Sequence, residues 1–358
     1  GRGHFEDADT LRVETEKGQQ FIHFENAIIA VGSRPALPTV FDLGNKRIMT
    51  STEALELEEI PQKLLVVGGG YIGMELGTVY AALGSEITLV EAHNTILSGA
   101  DPDLVRPVMT YAKTHFKEVR LGAKVQKLAT SGKKIKVKMT VGEKTIEESY
   151  DRVLVSVGRV PNHEDLGLEN AGVKLSERGF IEVNSRQQTS TSHIYAIGDI
   201  AGGVMLAHKA SKEARIAVEV ICGQPSEFKN VLIPAVVFTH PEVAWVGLTE
   251  HEANAQGMAI KVAKFPWAAS GRALTLEQPQ GLTKLIVDPA TERVLGAGIV
   301  GQGAGDLIGE AILAIEMRAT VQDIALSVHP HPTLSETMME AAEVFFGHSS
   351  HVFTGKKA

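Results

Sequence analysis

The pattern of apolar and polar residues is most regular between Leu64 and Ala92. An apolar run, Leu64–Val67, predicts a buried strand that enters a glycine-rich turn. Apolar residues then recur at helical spacing as far as Gly84-Ser85, and a second apolar run, Ile87–Val90, predicts another strand. The helix is expected to present one apolar face, formed by Ile72, Leu76, Val79, Tyr80 and Leu83. The stretch therefore predicts a βαβ unit.

The turn that follows the first strand has the spacing of a dinucleotide-binding fingerprint. It consists of Gly68, Gly69, Gly70, Tyr71, Ile72 and Gly73, of which the first, third and sixth fit G-x-G-x-x-G. The first glycine permits a tight turn, the next lets the backbone approach a pyrophosphate, and the last lets the helix pack closely on the sheet. The helix N-terminus would offer N–H groups and a partial positive charge to that pyrophosphate. In the βαβ context we predict that these six residues bind a dinucleotide.

Glu91, at the end of the second strand, indicates which dinucleotide binds. It lies 18 residues after Gly73, close to the spacing of about 20 at which a carboxylate binds the adenosine ribose hydroxyls. A carboxylate at this position would repel a 2′-phosphate. NAD is therefore expected rather than NADP.

The N-terminal segment has a less complete pattern. Gly1–Thr10 is polar, the next residues alternate as in a hairpin, and Ala27–Val31 predicts a buried strand. A hairpin and one strand have no obvious core of their own. We therefore expect that further sequence precedes this segment in the natural polypeptide.

Helix signals and short strands continue beyond the βαβ unit. Thr50 and Glu53 have the spacing of a capping box, and Asp101-Pro102 predicts the start of a helix that runs to about Phe116. Strands are predicted at Val119–Leu121, Lys124–Ala129, Lys134–Val141, Thr145–Ser149, Arg152–Val157, Gly179–Val183 and Ile194–Ile197. The lysines of one strand are expected to line a solvated sheet edge, namely Lys133, Lys134, Lys136 and Lys138.

The composition changes beyond Val231, where the pattern predicts an antiparallel sheet followed by helices. The predicted strands are Val236–Phe238, Val243–Val246, Ile260–Phe265, Thr283–Val287 and Val294–Val300. The predicted helices are Leu307–Met317, Val321–Leu326 and a last one that ends near Phe346.

Composition and charge exclude several classes of protein. The chain has 358 residues, 44% of them hydrophobic and 22% charged, which fits a globular protein of two or three domains. The net charge of −8 makes a nucleic-acid partner unexpected, and no apolar run reaches the ~18 residues that would span a membrane. The single cysteine, Cys222, excludes an internal disulfide and is expected to be a buried, inert thiol. A cytoplasmic location, or the mitochondrial matrix in a eukaryote, is the expectation.

Five motifs in one order resemble those of the flavin disulfide reductases, most closely the members that oxidise dihydrolipoamide. They are AVGSRP (30–35), VVGGGYIGMELG (66–77), VGRVPN (157–162), YAIGDIAGGVMLAHKA (195–210) and HPTLSE (331–336). The resemblance implies an α/β protein with two Rossmann-like nucleotide-binding domains, the FAD domain being incomplete, and a C-terminal α+β dimerisation domain. The implied segments are 1–43 and 161–230 for the FAD domain, 44–160 for the NAD domain and 231–358 for the interface domain.

The resemblance also implies which residues bind FAD and NAD. Besides the glycine-rich turn and Glu91, NAD would lie near Val125 and Gly158. The FAD site would include the strand end Val31, Gly32 and Ser33, the ribityl-binding carboxylate Asp199, and the helix N-terminus at Met205, Leu206, Ala207 and His208. Glu75 matches a carboxylate near the flavin.

The last motif would carry the proton chemistry. By resemblance, His331 is the catalytic base and Glu336 its carboxylate partner, with a cis peptide before Pro332 that brings the two together. A simpler interpretation is that Thr333 and Glu336 form a capping box for the last helix. His329 and His331 could suggest a metal pair, but no cysteine or carboxylate cluster accompanies them, and no metal is expected.

Two features of the family are absent from the sequence. There is no glycine-rich FAD fingerprint near the N-terminus and no C-x4-C redox pair. Because disulfide exchange needs two sulfurs within bonding distance, we expect this chain to be the C-terminal part of a longer polypeptide and to be inactive alone. The implied reaction is oxidation of dihydrolipoamide, or of a lipoyl domain of a 2-oxo acid dehydrogenase complex, by a homodimer that uses FAD and NAD.

Three alternatives to this reaction are open. A glutathione reductase-like enzyme would use NADP and would need basic residues near Glu91. A mercuric reductase would need C-terminal cysteines, which the sequence lacks. An inactive NAD-binding fragment is the non-enzymatic alternative.

Overall fold

The structure is a computed structural model that describes residues 1–352, so the last six residues of the predicted 231–358 segment lie outside the described part. The strands within it are β1 (Arg2–Phe5), β2 (Thr10–Thr15), β3 (Gly18–His23), β4 (Ala27–Ile29), β5 (Ser33–Pro35), β6 (Ile48–Met49), β7 (Lys63–Val67), β8 (Glu86–Val90), β9 (Glu118–Arg120), β10 (Ala123–Ser131), β11 (Lys134–Val141), β12 (Lys144–Tyr150), β13 (Arg152–Val155), β14 (Arg159–Pro161), β15 (Ile194–Ala196), β16 (Ala235–Val237), β17 (Val243–Gly247), β18 (Lys261–Pro266), β19 (Leu282–Val287) and β20 (Val294–Val300).

The α-helices of the described residues follow the same chain order. They are α1 (Ser51–Glu56), α2 (Tyr71–Ala82), α3 (Pro102–His115), α4 (Ala207–Ile221), α5 (Glu250–Ala255), α6 (Gly271–Thr275), α7 (Ala304–Glu316), α8 (Val321–Leu326) and α9 (Glu336–Phe346). None of them is long and apolar enough to cross a lipid bilayer.

The chain divides into two compact units. The first contains Gly1–Ala36 and Gly158–Ile233, and the second contains Leu37–Val157 and the described residues from Pro234 onward. These breaks lie near the predicted segment boundaries but do not coincide with them. The predicted division into FAD, NAD and interface segments stays a prediction.

The predicted βαβ unit forms the centre of the second unit. Strands β7 and β8 lie side by side in a five-stranded parallel sheet of order β6-β13-β7-β8-β9. A parallel sheet is covered on both faces, so its strands read as continuous apolar runs. This is why the strand Leu64–Val67 could be recognised from the sequence.

The buried face of α2 differs from the one predicted. Leu76 and Tyr80 are buried as predicted, but Val79 and Leu83 are 43% and 44% exposed, and the other buried residues are Gly73, Met74 and Gly77. A Cβ atom at Gly77 would lie 3.1 Å from the Phe116 ring. The helix therefore turns its small residues toward the protein interior, because glycine permits the closest approach.

The lysine-rich strand is not a sheet edge. β11 is the middle strand of the sheet β10-β11-β12, so the prediction of an edge position is wrong. Its lysines lie on one exposed face, and Ile135, Val137 and Met139 are buried on the other. One-sided burial gives the same alternation in a central strand as in an edge strand.

The C-terminal sheet is antiparallel, as predicted, with the order β16-β17-β20-β19-β18. Asp101 stands at the N-cap of α3 as expected, but its side chain does not cap that helix. It accepts instead a hydrogen bond of 2.6 Å from the buried ammonium group of Lys284 on β19. The start of α3 is thereby tied to this sheet.

The first unit corrects the prediction for the N-terminal segment. Gly1–Thr10 contains strand β1, and its last residue, Phe5, is buried in a core with Ile29, Leu168 and Ile194. Strand β1 was not predicted, but the segment has no core of its own, as expected, because it shares this one with residues from elsewhere in the chain. Ile29 lies nearby in the sequence, but Leu168 and Ile194 are more than 150 positions from Phe5, and local periodicity cannot reveal such partners.

Two further expectations fail in the first unit. Gly179–Val183 forms a turn with an isolated bridge between Leu175 and Ile181, not a strand. Cys222 is exposed, not buried. It follows the last residue of α4, beyond the buried stripe of that helix, which is formed by Lys209, Glu213, Ile216, Ala217 and Val220.

Candidate functional site

The glycine-rich turn Gly68–Gly73 has a geometry that depends on its glycines. Gly68 has φ +106°, and a Cβ atom there would lie 2.4 Å from the Ser156 carbonyl oxygen. A Cβ atom at Gly73 would lie 2.0 Å from the Gly68 carbonyl oxygen. A Cβ atom at Gly70 would meet nothing within 4 Å. The outer two glycines thus allow close packing, and the middle one leaves open space in front of the helix.

The open space faces the start of α2. The helix begins at Tyr71, and its N-cap Gly70 has no side chain that could occupy the first N–H groups. Such a helix N-terminus favours an anion through its N–H groups and its dipole. The geometry therefore fits the pyrophosphate of a dinucleotide at Gly68–Gly73.

Glu91 is buried beside this turn. Its Oε2 accepts a 2.6 Å hydrogen bond from the Gly69 N–H, and its Oε1 lies 2.7 Å from both the backbone nitrogen and Nδ1 of His93. Burial raises the pKa of the Glu91 carboxyl, but these hydrogen bonds outweigh burial and leave the pKa below its usual range. Glu91 is thus held as a carboxylate next to the fingerprint turn.

Two more residues extend this region. The N–H of Ala123 donates to the Glu91 carbonyl over 2.9 Å, so β10, which carries Val125, begins where β8 ends. Ser156 was not predicted. Its Oγ donates to the Val67 carbonyl over 2.9 Å and contacts the Gly68 carbonyl at 3.3 Å. Its position after a strand that pairs with β7 is visible only once the sheet order is known.

Of the predicted FAD residues of the first unit, Ser33 contacts Asp199 directly. The Ser33 hydroxyl donates to the Asp199 carboxylate, and Gly32, with φ +68°, shapes the strand end before it. Asn162 donates to the Val31 carbonyl over 2.9 Å. Arg159, which was not predicted, donates from Nε to the Ser33 hydroxyl over 2.7 Å and from Nη2 to the Ser33 carbonyl over 2.8 Å.

Asp199 lies in a 3-10 turn that a buried ion pair supports. Glu213 accepts the Gly198 N–H over 2.7 Å and pairs with Lys209 at 2.7 Å, and both side chains are 5% exposed. These two residues were also missed, although their spacing of four on α4 is a recognisable signal. The Lys209–Glu213 pair thus links the 3-10 segment that contains Asp199 to the N-terminal part of α4.

Met205 to His208 form the approach to α4. The helix begins at Ala207, its N-cap Leu206 has no capping side chain, and Ala207 and His208 are exposed. An exposed helix N-terminus of this kind suits the electron-rich oxygens of a flavin. Gly158, with φ +139°, lies in the same unit as this helix. The assignments of all these residues to FAD or NAD stay predictions.

His331 and Glu336 are brought together in the second unit. Nδ1 of His331 lies 2.8 Å from Oε1 of Glu336, and the His331–Pro332 peptide is cis, as the resemblance implied. The His331 side chain is 72% exposed, and within residues 1–352 its Nε2 has no hydrogen-bond partner. One ring nitrogen is therefore oriented by a carboxylate, and the other is available to a substrate.

The capping-box interpretation accounts for only half of the Glu336 contacts. Oε2 of Glu336 accepts the Thr333 N–H over 2.7 Å, but helix α9 begins at Glu336, with Ser335 as its N-cap. Thr333 donates its hydroxyl to the Pro330 carbonyl instead. Burial raises the pKa of Glu336, yet the Thr333 N–H and His331 outweigh it, and the pKa lies below its usual range. The carboxylate stays charged beside the imidazole.

Glu75 and His329 each have a partner within the second unit, and the placement of Glu75 near the flavin stays a prediction. Glu75 accepts the Phe238 N–H over 2.8 Å, and burial raises the pKa of its carboxyl. Nε2 of His329 lies 2.9 Å from Oε1 of Glu310. His329 is thus engaged by a carboxylate on α7 and is not paired with His331.

Comparison with known proteins identifies the family. Residues 2–214 match the model "Pyridine nucleotide-disulphide oxidoreductase", and residues 233–342 match its dimerisation domain. The chain is 48% identical over 353 residues to a dihydrolipoyl dehydrogenase of Staphylococcus aureus, with 98% of the chain and 75% of the relative covered. It is 47% identical over 348 residues to that of Vibrio parahaemolyticus, with 97% and 73% covered.

Solved structures agree with this assignment. LpdA from Mycobacterium tuberculosis superposes with a TM-score of 0.89 at 28% identity, covering 96% of this chain and 76% of LpdA. The HOCl-induced flavoprotein disulfide reductase RclA from Escherichia coli superposes with a TM-score of 0.87 at 28% identity, covering 94% and 77%.

The chain therefore belongs to the pyridine nucleotide-disulphide oxidoreductase family. The predicted family and the α/β fold with a C-terminal dimerisation domain are confirmed. FAD and NAD(H), the cofactors of this family, are confirmed as well.

Proposed function

We propose that this protein, in its natural form, is a dihydrolipoyl dehydrogenase. It would oxidise dihydrolipoamide to lipoamide and reduce NAD⁺ to NADH, with release of one proton. The observation that carries the proposal is the 2.8 Å contact between His331 Nδ1 and Glu336 Oε1, in a chain 42–48% identical to proteins of that name.

His331 supplies the proton transfer that thiol oxidation needs. A thiolate, not a thiol, is the nucleophile in disulfide chemistry. His331 would accept the thiol proton at Nε2, the nitrogen that no described residue engages, and Glu336 would hold the ring and stabilise its protonated form. A positioned base of this kind contributes roughly 10²–10⁴ in rate.

Glu91 and the turn Gly68–Gly73 would select and hold NAD. The turn supplies N–H groups and space for the pyrophosphate, and the Glu91 carboxylate would accept a ribose hydroxyl. Oε2 of Glu91 accepts one N–H, from Gly69, and a carboxylate oxygen can accept a further hydrogen bond. A 2′-phosphate at that position would meet a buried negative charge, which favours NAD over NADP.

Asp199 and the residues around it would hold FAD. FAD supplies the electron relay between the thiol substrate and NAD. Asp199 would accept a hydrogen bond from the ribityl chain, Val31, Gly32 and Ser33 would present their backbone, and Met205 to His208 would face the flavin through the N-terminus of α4.

The sequence supplies one cysteine thiol, the exposed Cys222, whereas dithiol exchange uses two. The activity is therefore proposed for the protein as it occurs naturally, and His331 is expected to serve the flavin site of a partner subunit. A lipoyl domain of a 2-oxo acid dehydrogenase complex is the proposed macromolecular substrate. A cytoplasmic or mitochondrial-matrix location belongs to the same proposal, because a single cysteine suits a reducing compartment.

A substrate comparison on the protein purified from its natural gene tests the proposal. We expect NAD⁺ reduction with dihydrolipoamide, and no comparable oxidation of NADPH by glutathione disulfide. Turnover with glutathione disulfide and NADPH but not with dihydrolipoamide would replace the proposal by the glutathione reductase alternative. Absence of both activities in a protein that binds FAD and NAD would contradict it outright.

A further inference from the structure

The residues around His331 form an exposed loop with one well-buried side chain. We call residues 327–332 the His331 loop. Val328 is 96% exposed, the His331 side chain is 72% exposed, and Pro330 and Pro332 are exposed as well. The His329 side chain is only 9% exposed. Ser327 is bonded to the end of α8, and within the rest of the loop His329 is the side chain that is buried against the domain.

Both ring nitrogens of His329 are engaged. Nε2 lies 2.9 Å from Oε1 of Glu310, and Nδ1 lies 2.9 Å from the Ser327 carbonyl oxygen. Glu310 belongs to α7, whose buried residues include Ala304, Ile308 and Ala311. The imidazole thus links the start of the loop to a helix anchored in the core.

The far side of the loop is held differently. Glu336 contacts His331 and the Thr333 N–H, and the Thr333 hydroxyl donates to the Pro330 carbonyl over 2.8 Å. These contacts orient the His331 ring relative to α9. Of these contacts only the Thr333 bond to Pro330 reaches the segment before His331, and His329 is the side chain that connects that segment to α7.

We propose that His329 and Glu310 are a positioning pair that places His331 for thiol deprotonation. The inference rests on the proposed function. A general base must lie within ~2.6–3.2 Å of its proton donor, directly or through one water, and a misplacement of about 1 Å can cost 10²-fold in rate. Fixing His329 two residues before His331 restricts such a displacement.

Alanine variants of the pair test the proposal in the dimeric protein from its natural gene. Glu310→Ala and His329→Ala should each lower kcat with dihydrolipoamide about tenfold or more, with little change in KM. NADH-driven reduction of an artificial dye should persist, because it does not use the thiol proton. Glu310→Gln keeps the size of the side chain and should lose less. Glu316→Ala, an exposed carboxylate on the same helix, is the matched control and should behave as wild type.

Combined variants separate positioning from general stability. The double variant Glu310→Ala/His329→Ala should lose no more than the worse single variant, because the two residues act as a unit. In a His331→Ala background, Glu310→Ala should cost nothing further. Multiplicative losses, a further loss without His331, or an equal loss of dye reduction would overturn the inference. If the wild type does not oxidise dihydrolipoamide, the proposed function fails instead, and the two failures are distinguishable.

Discussion

Two carboxylate–histidine pairs in the second unit have nearly the same local geometry. Glu91 contacts His93 Nδ1 at 2.7 Å and accepts the Gly69 N–H over 2.6 Å. Glu336 contacts His331 Nδ1 at 2.8 Å and accepts the Thr333 N–H over 2.7 Å. In each pair the imidazole is more than 70% exposed, the carboxylate is mostly buried, and the carboxyl pKa is lowered.

The surroundings of each pair separate their proposed roles. Glu91 ends a strand of the parallel sheet and binds the fingerprint turn itself, so the carboxylate is the group presented to a nucleotide. Glu336 begins a helix and supports a loop, so the imidazole is the group presented to a thiol. The same hydrogen bonds can thus support a functional carboxylate in one pair and a functional imidazole in the other. Which group is functional has to be inferred from the structural elements that surround the pair.

The largest expected difference between the two pairs is the loss of dihydrolipoamide turnover when each imidazole is removed. His331→Ala should lose about 10²–10⁴ of the dihydrolipoamide turnover, since a general base contributes that much. His93→Ala, the matched control, should retain nearly all of it, because its carboxylate is the functional group. Steady-state kinetics with dihydrolipoamide and NAD⁺ measure both. Equal losses would remove the distinction between the pairs.

Neutralising Glu91 should change the choice of nucleotide. Glu91→Gln keeps the size of a buried side chain and can still accept the Gly69 N–H, but it removes the charge that repels a 2′-phosphate. Like-charge contacts cost several kcal/mol, so the preference for NADH over NADPH in kcat/KM should fall about tenfold or more. Glu336→Gln should leave this preference unchanged. A wild type that uses both nucleotides equally would show that Glu91 has another role.

Two glycines of the fingerprint turn should have different roles: Gly73 in the stability of the fold and Gly70 in the binding of NADH. Gly73→Ala would force a Cβ atom against the Gly68 carbonyl and should lower the thermal midpoint, since overpacking costs about 1–3 kcal/mol. Gly70→Ala meets open space and should fold normally but bind NADH about tenfold more weakly. Calorimetry and NADH titration distinguish the two. Unchanged NADH affinity in Gly70→Ala would place the pyrophosphate elsewhere.

The smallest expected effect is on acid stability. The folded-state pKa of Glu336 is lowered, so its contribution to stability is complete above the ordinary carboxyl pKa of about 4.3 and is lost as pH falls through the lower folded value. The difference in thermal midpoint between wild type and Glu336→Gln should therefore shrink as the pH is lowered from about 5 to 3. A difference that grows toward acid pH would contradict the direction of the shift.

Local patterns in the sequence predicted more of the fold than of the contacts that support the sites. The βαβ unit, the C-terminal strands and α8 follow from short-range periodicity. The buried position of Phe5, the central position of β11 and the buried face of α2 depend on partners far along the chain. Periodicity shows that a residue faces an interior but not which strand or helix lies opposite.

The same limit applies to the candidate sites. The fingerprint turn and Glu91 were predicted with their chemistry, because glycine spacing and the flanking strands of the βαβ unit, all local in sequence, define that motif. Ser156, Arg159 and Glu213 were missed, since each acts on a backbone group or side chain that only the fold brings near. The contact of His329 with Glu310 also joins two separate elements, and the sequence suggested no partner for it.

Stopped-flow measurement of the two half-reactions on one preparation tests the central claim most directly. Flavin reduction by dihydrolipoamide and flavin reduction by NADH would be followed separately in wild type, His331→Ala and Glu91→Gln. We predict that His331→Ala slows the dithiol half-reaction by about 10²–10⁴ and leaves reduction by NADH near the wild-type rate, while Glu91→Gln leaves the dithiol half-reaction unchanged. If His331→Ala slowed both half-reactions to the same extent, His331 would not be the base that serves the thiol.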